Sequence, residues 1–262
     1  MKHKEQAPVA DICLLLEGTW PYVRGGVSGW IHQMILGLPE LTFSVMFIGG
    51  QRQAYSTRRY EVPANVLHIE EVFLEDATHP TNTQGDPREA DEQQLVDLYR
   101  FLHHPDAPAP ELGERLLDCI AQGRLTLDDV LRSRASWSVL SEGYRQHCAD
   151  PSFVNYFWTL RSMQSPLLML AEASQRMPKA RVLHSISTGY AGFLGCILKQ
   201  RWNCTYLLSE HGIYTKERKI DLAQASWIAE SSGQALNRSL DAGSGYMRTL
   251  WVRFFERIGQ LT

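Results

Sequence analysis

Three short stretches gather the residue types that chemistry needs: "EGTWPYVRGGVSGW" at 17–30, "LHSISTGYAG" at 183–192 and "LSEHGIYTKER" at 208–218. In the first, Gly25 and Gly26 allow positive φ and close backbone approach, and the amides of Val27, Ser28 and Gly29 at a helix start would form a seat for an anion. The alternative is that Gly-Gly merely makes a bend. In the second, His184 stands at the end of an apolar run with Gly189 and Gly192 just beyond it. A lone histidine there serves equally well as a satisfied core residue. In the third, Glu210, His211, Lys216, Glu217 and Arg218 put carboxylate, imidazole and cations within a few positions, with Gly212 for a sharp turn. Such a cluster is costly in a purely structural role, the alternative being a solvated loop.

Each stretch follows a run that reads as a strand. "DICLLL" at 11–16 is continuously apolar between charged residues, the pattern of a strand covered on both faces. A helix follows with Trp30, Ile31, Met34, Ile35 and Leu38 at spacings of three and four, Ser28 as its cap and Pro39 at its end. "LTFSVMFIGG" is the next strand, and "NVLHIEEVFL" at 65–74 a third. "ARVLHSIS", "TGYAGFLGCILKQRW" with Thr188 as cap, and "CTYLLSEHG" repeat the strand-helix-strand order at 180–212. Two such units predict a Rossmann-like α/β fold, a doubly wound, mostly parallel sheet with ligands at the carboxyl ends of its strands.

Between these units the character changes. "EDATHPTNTQGDPREADEQQ" reads as an exposed loop, and helical patterns follow near 88–103 and 111–122, separated by the Pro-rich "HHPDAPAP". Thr126 is placed to cap a helix with Asp128 and Asp129 in its first turn. The stretch at about 75–150 is a helical insertion, a lid or padding. Residues 153–176 form a long apolar helix pattern that Pro166 should kink or divide. A polar stretch and an amphipathic helix from about Gly245 finish the chain.

Composition narrows the classes. A net charge of -3 without a long basic run argues against nucleic acid as partner. "ICLLL" is too short to span a membrane and no signal-peptide pattern precedes it, so the expected location is cytoplasmic. Cys13, Cys119, Cys148, Cys196 and Cys204 are scattered, without a CxxC pair, and read as reduced thiols, with Cys13 and Cys196 buried. No cluster has structural-zinc spacing. The first loop lacks both GxGxxG and a Walker lysine, and "IGG" at 48–50 stands where a dinucleotide fold carries its acidic residue. A Gly-x-Ser-x-Gly elbow is absent too.

Together and in this order, the three stretches resemble glycosyltransferase family 4, whose GT-B architecture sets two Rossmann-like domains face to face. More narrowly, "LLLEGTWPYVRGGVSGW", "HSISTGYAG" and "SEHGIYTKER" look like the amino-terminal half of the cytosolic glycosyltransferases of Pel-type exopolysaccharide synthesis, with anchors at 11–50, 180–220 and 246–259. The resemblance implies that residues 1–262 are the acceptor-side domain, with the insertion at about 75–150. It implies a retaining transfer of a hexose from a nucleotide-diphosphate sugar, UDP-glucose, to a growing glycan acceptor, without metal or other cofactor. Gly25, Gly26, Val27 and Ser28 would face the donor diphosphate, His211 would contact the donor hexose, and His184 would line the same cleft. Glu210 with Arg218 would support donor or acceptor, and Lys216 adds a charge nearby. The carboxy-terminal domain that binds most of the nucleotide sugar in that fold is missing from this sequence. The chain is therefore expected to be a fragment, inactive alone.

Two other readings stand beside this one. The insertion would make the chain a docking module for a membrane-bound polysaccharide synthase subunit, without catalysis. Alternatively, the fold would bind another small molecule, such as a nucleotide.

Overall fold

The computed structural model describes residues 9–76, 91–104, 107, 109–148, 152–224 and 237–262. Residues 77–90 of the predicted polar loop, residues 105, 106 and 108 of the Pro-rich link and residues 225–236 of the later polar stretch lie outside the described residues. The chain divides into two compact units, one of residues 1–82 and 169–211, the other of residues 83–168 and 212–262.

The first unit is built on a five-stranded, fully parallel sheet in the order β3-β2-β1-β4-β5, formed by β1 (Ala10–Glu17), β2 (Phe43–Gly49), β3 (Val66–Phe73), β4 (Ala180–Ser185) and β5 (Thr205–Leu208). The Rossmann-like α/β class read from the sequence is the observed one. All seven residues of β2 are buried, as are Cys13 to Leu16 of β1, which is why these runs carry no polar alternation. Helix α1 (Gly26–Gly37) crosses from β1 to β2. Its Ile31 and Ile35 pack on Leu14, Leu16, Phe43 and Val45. The side chain of Asn65 donates to the carbonyls of Ile35, Leu38 and Leu41 at 3.0, 3.3 and 3.1 Å, pinning the descent from α1 into β2. Helix α7 (Tyr190–Trp202) crosses from β4 to β5.

From β1 the chain steps outward in one direction, and from β4 in the other. Right-handed crossovers then lay the helices on opposite faces, and the order reverses between β1 and β4. In folds of this topology ligands bind beyond the carboxyl ends of the strands at that reversal, here the ends of β1 and β4.

In the second unit no strand occurs among the described residues. Its helices are α2 (Glu92–His103), α3 (Ala109–Ala121), α4 (Leu127–Arg132), α5 (Arg134–His147), residues 153–168 of α6 (Phe153–Ser174), α8 (Tyr214–Gln224) and α9 (Asn237–Leu261). Thr126 caps α4 as expected and completes a capping box. Its hydroxyl accepts from the Asp129 amide at 3.3 Å, and the Asp129 carboxylate accepts from the Thr126 amide at 2.8 Å. The hydroxyls of Tyr99 and Tyr156 meet at 2.9 Å over Gly143, where a Cβ would collide with both. From α9, Arg253 and Arg257 donate to the carbonyls of His103 and His104, closing the carboxyl end of α2.

Of the two outcomes expected at Pro166, a kink or a division, division does not occur, since α6 continues for eight residues beyond it. Two local expectations need correction. Ser28 does not cap α1. It is already inside the helix and buried, and Gly25 holds the cap position. Thr188 does not cap α7, whose cap residue is Gly189. All five cysteines are free thiols, with Cys13, Cys119 and Cys196 buried, and burial pushes the Cys13 thiol up to about 12.

Candidate functional site

The loop from Glu17 to Gly25 is held from below. Gly18 sits at φ 62, the one position in this loop where the backbone demands glycine, and its amide donates to the Ile48 carbonyl at 2.9 Å. Trp20 is fully buried and its indole donates to Nδ1 of His32 on α1 at 3.3 Å. The carbonyl of Pro21 accepts from the amides of Arg59 and Tyr60 at 2.7 and 3.2 Å. The rest of the loop is exposed from Val23 to Gly26.

Gly25 and Gly26 do not use positive φ, contrary to the reason first given for them. Gly25 is extended, at φ 172, and Gly26 opens the helix. What the pair provides is room: a Cβ on either would meet nothing within 4 Å. The amide of Gly29 already donates to the Gly25 carbonyl at 2.8 Å, so the open donors of the first turn are those of Gly26, Val27 and Ser28. No side chain among the described residues caps this end and its first turn carries no acid, which leaves its positive dipole end facing outward.

The start of α7 is furnished differently. Glu17, the last residue of β1, turns its carboxylate across the strand reversal onto that helix. Its Oε2 accepts from the amides of Tyr190 and Ala191 at 3.1 and 3.5 Å and from the Ser187 hydroxyl at 3.5 Å. The anion seat at α7 is thus filled by the protein itself.

His184 and His211 lie at the ends of β4 and β5, and α1 joins them. The ring of Trp30 meets the imidazole of His184 edge-on at 5.9 Å and that of His211 at 4.9 Å between centroids. Trp30 remains about two-fifths exposed, an aromatic edge open to solvent beside the free end of α1. His184 is buried, and Nε2 is 2.9 Å from the Ser209 hydroxyl. Burial, and then the neighbouring His211, hold its pKa below the usual histidine value, so that the neutral ring is favoured. Glu210 is exposed, and its carboxylate accepts from the Thr188 hydroxyl at 2.7 Å, tying the β5 loop to the start of α7.

Gly25, Gly26, Val27, Ser28, His184, Glu210 and His211 therefore share the carboxyl rim of one sheet. Lys216 and Arg218 belong to the helical unit, on α8. There Arg218 pairs with Asp221 at 3.0 Å and lies 5.3 Å from the Tyr214 ring centre. Sequence reasoning missed Glu17 and Trp30. Glu17 ends the first apolar run and could have been singled out once β1 and β4 were taken as neighbours. Trp30 was assigned only to the packing face of α1. Among the described residues no three His, Cys, Asp or Glu side chains converge in a group able to hold a metal ion, and no helix is long and apolar enough to cross a membrane.

Over residues 10–262 the chain matches the model of a family described as a domain of unknown function, DUF3492, and it belongs to that family. Neither curated proteins nor solved structures return a match.

Proposed function

We propose that this chain is the acceptor-side half of a PelF-like retaining glycosyltransferase, which moves a hexose from a nucleotide-diphosphate sugar, UDP-glucose, to a growing exopolysaccharide of the Pel type. The observation that carries the reading is the pairing, on one rim, of an uncapped helix start at Gly26, Val27 and Ser28 with the Trp30, His184 and His211 cluster. The amides and dipole of α1 suit the diphosphate, whose charge grows as the sugar leaves. His211 has the reach to hydrogen-bond the hexose. His184, kept neutral, offers either a donor or an acceptor without adding charge beside a departing anion. The DUF3492 family is associated with glycosyltransferase family 4-like proteins, which favours the same reading.

The test is turnover of UDP-glucose by the natural full-length protein. His211→Ala should lower kcat by roughly 10²-fold or more, the usual effect of deleting one well-placed hydrogen-bond donor. Unchanged turnover in that variant would refute the role of this rim. One observation favours docking as a second role. Trp137 of α5, with Val154 and Trp158 of α6, exposes more than half of each side chain on the helical unit, the kind of surface that binds a protein partner such as a membrane-bound synthase subunit. In that case Trp137→Glu with Trp158→Glu would abolish assembly and leave UDP-glucose turnover intact.

A further inference from the structure

The same rim carries a second feature, outside the ends of β2 and β3. A cleft of about 570 Å³ opens between Tyr22 of the first loop, the 3₁₀ turn Arg52–Tyr55, Arg58 and the end of β3 at Glu71 and Phe73. Its size is that of a small-ligand site. None of the contacts described for His184, His211 or the start of α1 involves these residues.

The charges of the cleft are matched and held in place. The Glu71 carboxylate accepts from Arg58 at 3.2 Å and from the Tyr22 hydroxyl, and it lies 3.8 Å from Arg52. Arg52 also approaches Asp76 at 3.7 Å, and its guanidinium lies 4.2 Å from the centre of the Phe73 ring. Two guanidinium groups thus face two carboxylates. An anion would have to displace these carboxylates, and an apolar ligand would strip water from the ion pairs without offering them hydrogen bonds. The Tyr55 ring gives the cleft a partly exposed aromatic wall, with planar donors and acceptors fixed by one another around it. A neutral, polyhydroxylated ring fits this arrangement. Its hydroxyls donate to a carboxylate and accept from a guanidinium, and its C–H face lies on an aromatic ring. Because the ion pairs already orient these groups, little ordering remains to be done on binding.

Position narrows the ligand further. The end of β3 is three strand spacings from the end of β4, which is ~14 Å along the rim. One monosaccharide cannot touch both places, whereas a short oligosaccharide can. Resting on the transferase reading above, we infer that the Tyr22, Arg52, Tyr55, Arg58 and Glu71 cleft is a distal subsite for the acceptor glycan. It holds a neutral sugar unit remote from the one that receives the hexose, and so makes the protein selective for longer chains.

The experiment uses the natural full-length protein and neutral gluco-oligosaccharides of two to six units, in both the α-1,4 and β-1,4 series. Affinity is measured by calorimetry, and UDP-glucose turnover is measured in the same samples. In one series the wild-type affinity should rise at least tenfold from disaccharide to hexasaccharide. Arg52→Ala removes the stacked donor, and Ser56→Trp fills the cleft from an exposed lining position. Each should erase that gain while leaving disaccharide affinity and basal UDP-glucose turnover unchanged, with an unaltered thermal midpoint as the check on folding. A gain with length that survives both substitutions overturns the subsite. So does a wild-type affinity that does not rise with length in either series. Length-dependent binding without any UDP-glucose turnover would overturn the transferase reading instead and leave the glycan subsite standing.

Discussion

Helices α1 and α7 are the two crossovers that flank the strand reversal, and their first turns have opposite fates. Both begin at a glycine with no side chain of its own to cap the free amides. At α7 the carboxylate of Glu17, arriving from the neighbouring strand, takes the amides of Tyr190 and Ala191. At α1 nothing among the described residues does so, and Gly25 and Gly26 leave open space in front. Of the two helix starts at the strand reversal, one is closed by the protein's own acid and the other carries no side-chain cap. Under the proposed function, the α7 end would contribute stability and the α1 end affinity for the donor diphosphate.

Substitutions can break that contrast. The largest effect is expected for Gly26→Trp in the full-length protein, where an indole placed before the open amides should cut UDP-glucose turnover by ~10²-fold or more. Glu17→Gln should retain most of it, because an amide oxygen still accepts from α7. Equal losses in steady-state assays of the two variants would end the distinction. Glu17→Ala should lower unfolding free energy by about 1–2 kcal/mol, the cost of losing a charged helix cap, and this is readable as a shift of the urea midpoint.

A smaller effect concerns His184. Its folded pKa is depressed, so the neutral ring contributes stability that is fully present above the unfolded value of about 6.5 and is lost as pH falls through the lowered folded value. Urea midpoints measured from pH 8 down to pH 5 should decline in the wild type and decline less in His184→Asn. An identical slope in both would show that the ring is not held neutral by the fold.

The smallest effect is the most diagnostic. Emptying the α7 seat in Glu17→Ala should create a phosphate site, stabilising the variant by about 0.4 kcal/mol when inorganic phosphate equals its dissociation constant. Thermal midpoints titrated with phosphate should separate the variant from the wild type by that extra increment.

Strands and helices were legible because their signals are local. Short apolar runs such as "ICLLL" and "FSVMFIG", bounded by charged or turn residues, have the length and pattern of strands buried on both faces, and the Ile31 and Ile35 spacing belongs to a helix lying on such a sheet. The capping box at Thr126 was legible for the same reason, since its partners are three residues apart. Ser28 and Thr188 misled because a hydroxyl near a helix start has the composition of a cap whichever residue takes that geometry.

The chain's local chemistry thus announced a Rossmann-like sheet with candidate groups at three of its strand ends. Which groups meet was decided at long range. Glu17 reaches Tyr190 across 173 positions of sequence, and Trp30 touches His184 and His211 across more than 150. Those contacts exist because β1 and β4 are neighbours at the reversal of strand order. That adjacency is set by how the apolar faces of the whole sheet are covered, and no short stretch of residues encodes it.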